Sequence, residues 1–286
     1  MAGEAAAGRS GAVGRLIICP TPIGNLGDGS PRVAEALLSA DLVLCEDTRR
    51  TGKLLAHLVE ADGGRRERPP MRSLHDHNER GQVDGLVAQI GQGARVALCS
   101  DAGTPLVSDP GLALVRGCIA AGVEVEALPG PSAVLVALAV SGLATDRWRF
   151  VGFPPRKGDG LVEALLSSET TVAFEAPTRV GATMAAIAAV DPGRRVVVAR
   201  ELTKLHEEVV RGTAEALAER YAGSAPKGEV TIVVAGEEAE VDDEAAIVAT
   251  ERLVEAGARV KEAAAVVADL TGARANALYR AVLDRR

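Results

Sequence analysis

Short apolar runs alternate along the chain with longer stretches whose apolar positions recur every three to four residues. In the first half the short runs are Leu16–Cys19, Asp41–Cys45, Arg95–Cys99 and Val123–Leu128. Most are almost uninterrupted, as expected of strands buried on both faces. Helical spacing falls between them, around Arg32–Ala40, Thr51–Leu58, Gln82–Ile90 and Gly111–Ala121, and Ser30-Pro31 supplies a helix start. Pro129-Gly130-Pro131 breaks the series, and Ser132 then caps an Ala/Val/Leu helix reaching about Ser141. A second series follows, with strands at Thr170–Phe174, Arg195–Ala199 and Glu229–Ala235 and helices at Leu161–Ser167, Arg179–Val190 and Thr213–Ala222. The pattern predicts an α/β protein of two lobes, 15–129 and 130–237, hinged near 129–131.

An acidic run from Glu237 to Glu244 ends the second lobe and opens a linker or a helix start. Three amphipathic helices are predicted beyond it, at Ala245–Ala256, Val260–Leu270 and Ala273–Leu283. Thr271-Gly272 makes a tight break between the last two, so the module 245–286 has the spacing of a helix-turn-helix. Residues 1–14 lack a basic start followed by an apolar stretch and read as a flexible tail rather than a signal peptide.

Composition narrows the function classes. Apolar residues make up 47% of the 286 and aromatics only 2%, which disfavours binding of single strands by base stacking. A net charge of −7 argues against non-specific adhesion to nucleic acid or anionic membrane, without excluding a local basic face. Cys19, Cys45, Cys99 and Cys118 form no C-x-x-C pair, and three of them lie in strand-like runs, where a thiol behaves as a small hydrophobe. His75 and His77 lack a placed third ligand, so no metal site is expected. No apolar run reaches the ~20 residues of a membrane span. A cytoplasmic protein is expected.

Ligands of open α/β sheets bind beyond the carboxyl ends of strands. Four loops have that address: Pro20–Leu26, with Gly24 open to close approach; Glu46-Asp47-Thr48-Arg49; Ser100–Gly111; and Pro129–Ala133. None matches a dinucleotide or P-loop fingerprint.

Taken in order, PTPIGNL (20–26), EDTR (46–49), HDHN (75–78), SDAGTPLVSDPG (100–111), PGPSA (129–133), ARELTK (199–204) and KGEVTIVV (227–234) resemble the tetrapyrrole-methylase-like superfamily. Within it they are most similar to the ribosomal RNA branch, which methylates a cytidine 2′-hydroxyl in 16S RNA of the small subunit. The resemblance spans about 15–236. It implies S-adenosylmethionine (SAM) between two lobes, in a homodimer. It also implies cofactor contacts by Pro22, Asp101, Ala102, Gly103, Val107, Ser108, Ser132, Ala133, Glu175, Leu202, Glu229 and Val230.

A ribose hydroxyl is a poor nucleophile at neutral pH, so it must be positioned and helped to lose its proton. Candidates for that work are Asp47, Arg49, His75, Asn78, Glu79, Glu201 and Lys204, with the base left open among them. RNA contacts are expected from Arg50 and Lys53, from Arg65, Arg66 and Arg68 leading into HDHN, from Arg156 and Lys157, and from Lys261, Arg274 and Arg280 of the helical module, where packing on a partner subunit is the alternative. Two rival functions share the fold: a small-molecule, tetrapyrrole-type methyltransferase, and a non-catalytic RNA-binding assembly factor.

Overall fold

Two five-stranded sheets form the two lobes of the computed structural model, which describes residues 14–156, 158–236 and 243–285. The tail expected over 1–14 lies outside the described residues except Gly14, and so do Lys157 and residues 237–242 of the acidic run. Gly14 is buried and belongs to the first lobe.

In the first lobe the strands are β1 (Arg15–Cys19), β2 (Leu42–Cys45), β3 (Met71–Ser73), β4 (Arg95–Cys99) and β5 (Glu124–Ala127), in the order β3-β2-β4-β1-β5 and all parallel. Alternate residues of the central strands point to opposite faces. Ile17, Cys19, Val43, Cys45, Ala97 and Cys99 pack with Val33 and Leu37 of α1 (Pro31–Leu38) and Leu55 of α2 (Thr48–Ala61). Leu16, Leu42, Leu44, Val96 and Leu98 pack with Leu86 and Ile90 of α3 (Val83–Gly91) and Leu114 of α4 (Leu112–Ala120). The four thiols are free and buried, and burial raises the Cys19 thiol to about 12. They serve as core volume.

The second lobe comprises β6 (Trp148–Phe150), β7 (Thr170–Glu175), β8 (Arg195–Arg200), β9 (Glu208–Thr213) and β10 (Val230–Val234), ordered β6-β7-β10-β8-β9. β10 runs antiparallel to both β7 and β8, so this sheet is mixed. Helix α5 (Ala133–Ser141) covers one face. Helices α6 (Asp159–Leu165), α7 (Val180–Val190) and α8 (Ala214–Tyr221) cover the other. Helices α9 (Asp243–Glu255), α10 (Val260–Thr271) and α11 (Ala275–Asp284) share a small core of Ala246, Ala264, Val267 and Leu278. Gly272 closes α10 in the left-handed conformation at φ +76°, as the sequence break requires.

The predicted helices and all of the predicted strands are present, with ends shifted by a few residues. β3, β6 and β9 are additions to the predicted set. Two of them have only three residues, and β9 is an edge strand with no buried position, so none gives a sustained apolar run.

Candidate functional site

Because the first sheet is wholly parallel, the loops after β1, β2, β4 and β5 converge at one end. There the lobes enclose a cleft of about 430 Å³. One side is formed by Ile23, Glu46, Arg50, Asp101, Ala102, Gly103, Val107, Ser108, Asp109, Ser132 and Ala133, the other by Phe153, Phe174, Glu175, Leu202, Gly228, Glu229 and Val230. Every residue expected to touch the cofactor lines this cleft except Pro22, whose neighbour Ile23 takes that place.

The loop after β4 is fastened to the loop after β1. The Thr21 and Gly103 backbones exchange two hydrogen bonds, at 2.9 and 3.0 Å, and the Ser100 hydroxyl donates to the Gly103 carbonyl at 3.0 Å. Gly103 therefore spends its backbone groups on the protein itself. Glycine is needed there for φ of +84°, and a Cβ would come 3.3 Å from Ile23 Cγ2. The expectation that Gly24 opens space for a ligand needs correcting. A Cβ there would overlap Lys204 Cγ, so the glycine makes room for the other lobe.

Four non-glycine residues among those described have positive φ: Leu106 (+73°), Ser108 (+70°), Glu201 (+49°) and Thr203 (+67°). All stand in the two loops that face each other across the cleft. Each costs about 1–2 kcal/mol, a burden usually found at functional sites.

Charge in the cleft is one-sided. Glu46, Asp101, Asp109, Glu175 and Glu229 line it, and Arg50 is the only cation among the described lining residues. Burial and the nearby Glu46 carboxylate raise the Asp109 carboxyl to about 6. Burial and Asp101 raise Glu46, and Asp76 of the HDHN loop adds to both shifts. Glu175 is buried and saturated by the Thr183 hydroxyl (2.6 Å), the Ala176 N–H (2.8 Å) and Arg179 (3.3 Å). Its oxygens hold the loop after β7 together.

The remaining candidates separate into groups. Asp47 caps α2 by accepting the Arg49 N–H at 2.8 Å, and the Arg49 side chain grips the same carboxylate at 3.1 and 2.7 Å. Those hydrogen bonds hold Asp47 well below the usual carboxylate range, which makes it a poor proton acceptor. Lys204 Nζ sits between Glu201 Oε1 (2.7 Å) and Glu229 Oε2 (3.0 Å), and Glu201 also accepts the Glu229 N–H at 2.9 Å. The Lys204 hydrogen bond lowers Glu201. Burial opposes the Lys204 charge, yet both carboxylates keep it raised. This trio braces the cleft rim, and neither Glu201 nor Lys204 is poised as a base. Asn78 accepts the His75 N–H at 2.9 Å and donates to the Ser73 carbonyl at 3.1 Å, shaping its own loop. Glu79 is buried and accepts the Leu114 N–H at 3.0 Å, so it caps the first turn of α4. That geometry corrects a catalytic role for Glu79. His75 keeps a buried Nδ1 with no partner among the described residues.

Of the expected RNA contacts, Arg50 reaches the cleft, 3.5 Å from Asp101, and Lys53 lies exposed one turn along α2. Arg65, Arg66 and Arg68 do not reach it. They follow the C-terminus of α2, whose 14 residues carry the chain about 21 Å from the cleft end. Arg66 is held there by Glu35 (2.7 Å) and Asp62 (3.1 Å). Arg156 is exposed on the loop between β6 and α6 of the second lobe, not between the lobes. Lys261, Arg274 and Arg280 are exposed on the helical module. Residues that sequence reasoning passed over are Glu46 and Asp109, although both stand inside the motifs EDTR and SDPG, and the facing rings Phe153 and Phe174, 5.6 Å apart. No group of three His, Cys, Asp or Glu able to hold a metal occurs among the described residues.

Residues 15–218 match the family described as tetrapyrrole (corrin/porphyrin) methylases. The chain belongs to that family. Proteins named ribosomal RNA small subunit methyltransferase I are similar over nearly the whole length. The one from Mycobacterium tuberculosis is 46% identical over 279 residues, covering 96% of both chains. That of Escherichia coli O157:H7 is 41% identical over 281 residues, again covering 96% of each. Among solved structures, uroporphyrin-III C-methyltransferase from Thermus thermophilus, complexed with S-adenosyl homocysteine, superposes with a TM-score of 0.53 at 20% identity, covering 78% of this chain and 98% of that one. The methyltransferase CobJ superposes with a TM-score of 0.56 at 19% identity, covering 78% and 95%. These likenesses carry the tetrapyrrole methylase fold alone, and the fold agrees with the two lobes described above.

Proposed function

We propose that this tetrapyrrole methylase family member uses SAM to methylate the 2′-hydroxyl of a cytidine in 16S RNA of the small ribosomal subunit. The observation that carries the reading is the cleft itself, which combines an apolar floor with an excess of carboxylates. SAM has an apolar adenine and thioether frame and a net positive charge from sulfonium and ammonium against one carboxylate, so Ile23, Val107, Val134, Leu202 and Val230 suit its body and the acidic wall suits its charge. When bound, it supplies an activated methyl group. Near-full-length similarity to proteins named for small-subunit ribosomal RNA supports an RNA acceptor over a porphyrinoid.

The chain's own groups then have three tasks. Ser132, whose hydroxyl accepts the Leu135 N–H, and the loop at 101–103 hold the cofactor. Arg50 draws the anionic strand towards the opening. Asp109 takes the proton of the hydroxyl, since a carboxylate raised to about 6 is ionised yet comparatively basic at neutral pH.

A homodimer is part of the proposal, supported by Leu112 and Ile119 of α4, exposed 51% and 65%. So is a cytoplasmic location, and no helix among the described residues is long and apolar enough to cross a membrane. Mass mapping of 16S RNA from cells lacking the protein tests the reading. A missing 2′-O-methyl on a cytidine, restored by the purified protein and SAM on undermodified 30S particles, is expected. An unchanged modification map would overturn it.

A further inference from the structure

A second recess, of about 360 Å³, lies behind the loop that closes the cleft. Its walls include Arg200, Glu208, Arg220, Tyr221, Ser224 and Lys227. Three cations face one carboxylate. Glu208 receives Arg200 Nε at 2.8 Å and Arg220 Nη2 at 3.0 Å, one guanidinium on each oxygen. The Arg220 guanidinium lies 5.8 Å from the Tyr221 ring centroid, which further limits its freedom. Glu208 thus neutralises one charge and fixes two guanidiniums in place, leaving an excess of two positive charges. Lys227 is exposed and makes no ion pair among the described residues.

The recess and the cleft share a wall. Arg200 ends β8 two residues before Leu202, and Lys227 directly precedes Gly228 and Glu229; Leu202, Gly228 and Glu229 all line the cleft. Arg200 Nη1 also donates to the Lys227 carbonyl at 3.4 Å, tying the two segments together. A pre-oriented pair of guanidiniums with a free ammonium and a hydroxyl is the donor set of a phosphate site.

We propose that this recess binds a phosphodiester of the substrate strand, beside the nucleotide whose ribose enters the cleft. The inference rests on the RNA acceptor proposed above. It assigns the strand a path over the outer side of the 227–229 loop.

The test uses full-length protein and the double variant Arg220→Gln, Lys227→Gln, which leaves the Arg200–Glu208 pair intact. Affinity for a short single-stranded RNA is measured against salt, together with SAM affinity and methyl transfer to undermodified 30S particles. The variant should bind the strand roughly tenfold more weakly at low salt, the scale of one charge-assisted hydrogen bond. Its salt slope should fall by about 0.7 for each phosphate that is no longer neutralised. SAM affinity should hold, and the fall in transfer should appear in KM for RNA rather than in kcat. The Lys227→Arg variant should retain the salt slope.

Unchanged RNA affinity and slope would overturn the phosphate site, even where the melting temperature falls. Inorganic phosphate that binds the wild-type recess while RNA affinity stays undisturbed would point to a free anion and overturn the strand path. If wild-type protein binds the oligonucleotide through these residues but transfers no methyl to 30S particles, the proposed function fails and the recess stands.

Discussion

The Asp101 carboxylate accepts the Asp47 backbone N–H at 3.1 Å, joining the loop after β4 to the first turn of α2. Its other oxygen faces Arg50 at 3.5 Å. One side chain therefore ties the expected cofactor loop to the expected RNA-facing helix.

Asp101→Asn keeps an oxygen acceptor and removes the charge. SAM affinity by calorimetry should fall a few-fold with the lost charge, while Asp101→Ala, which also leaves the Asp47 N–H unpaired, should weaken it by roughly a further tenfold. Equal affinities for the two variants would contradict this division.

Gly103→Val should abolish SAM binding. A β-branched residue at φ +84° is strained, and its side chain would press on Ile23 and on the Pro131 carbonyl, breaking the Thr21 pairing. Calorimetry on folded variant, with a circular dichroism melt as control, measures the effect. Gly103→Ala should lie between the two.

Asp109→Asn should lower kcat roughly 10²-fold or more, on the scale of general-base contributions, and remove an inflection near pH 6 from the wild-type pH profile. Stability should move the other way. The folded-state value of about 6 exceeds the ordinary 3.8, so the group's favourable contribution is complete below about pH 4 and lost as pH rises through 6. The neutral amide avoids that loss. The variant should melt higher than wild type at pH 8, and the advantage should vanish below pH 4.

Glu79→Ala should cost about 1–3 kcal/mol, because it strands the Leu114 N–H in the core beside α4. Thermal unfolding should record the drop, with kcat retained at temperatures where the variant is folded. A collapse of kcat in the folded variant would restore a catalytic role.

The fold was legible where burial imposed a period. β1, β2, β4 and β10 are buried throughout or nearly so, and their apolar runs announce them. β3 is three residues long and β9 is a half-exposed edge with no fully buried position, so neither leaves such a mark. The cleft was legible in the motifs, because loops at strand ends must carry glycine and polar residues in a fixed order. The partition of labour inside it was not. Glu79 and Asn78 sit in a conspicuous polar string, yet one caps a helix and the other shapes a turn, and only contacts distant in sequence reveal that. Arg65, Arg66 and Arg68 adjoin HDHN in the chain but occupy the far end of the sheet, since a strand intervenes.

The contact of Gly24 with the Lys204 stem makes residue 24 a spacer between the lobes. Any side chain added there must be met by a shift of Lys204, at a position that need not touch any ligand. A graded series at residue 24, from alanine upward, would act as a wedge and convert side-chain volume into aperture.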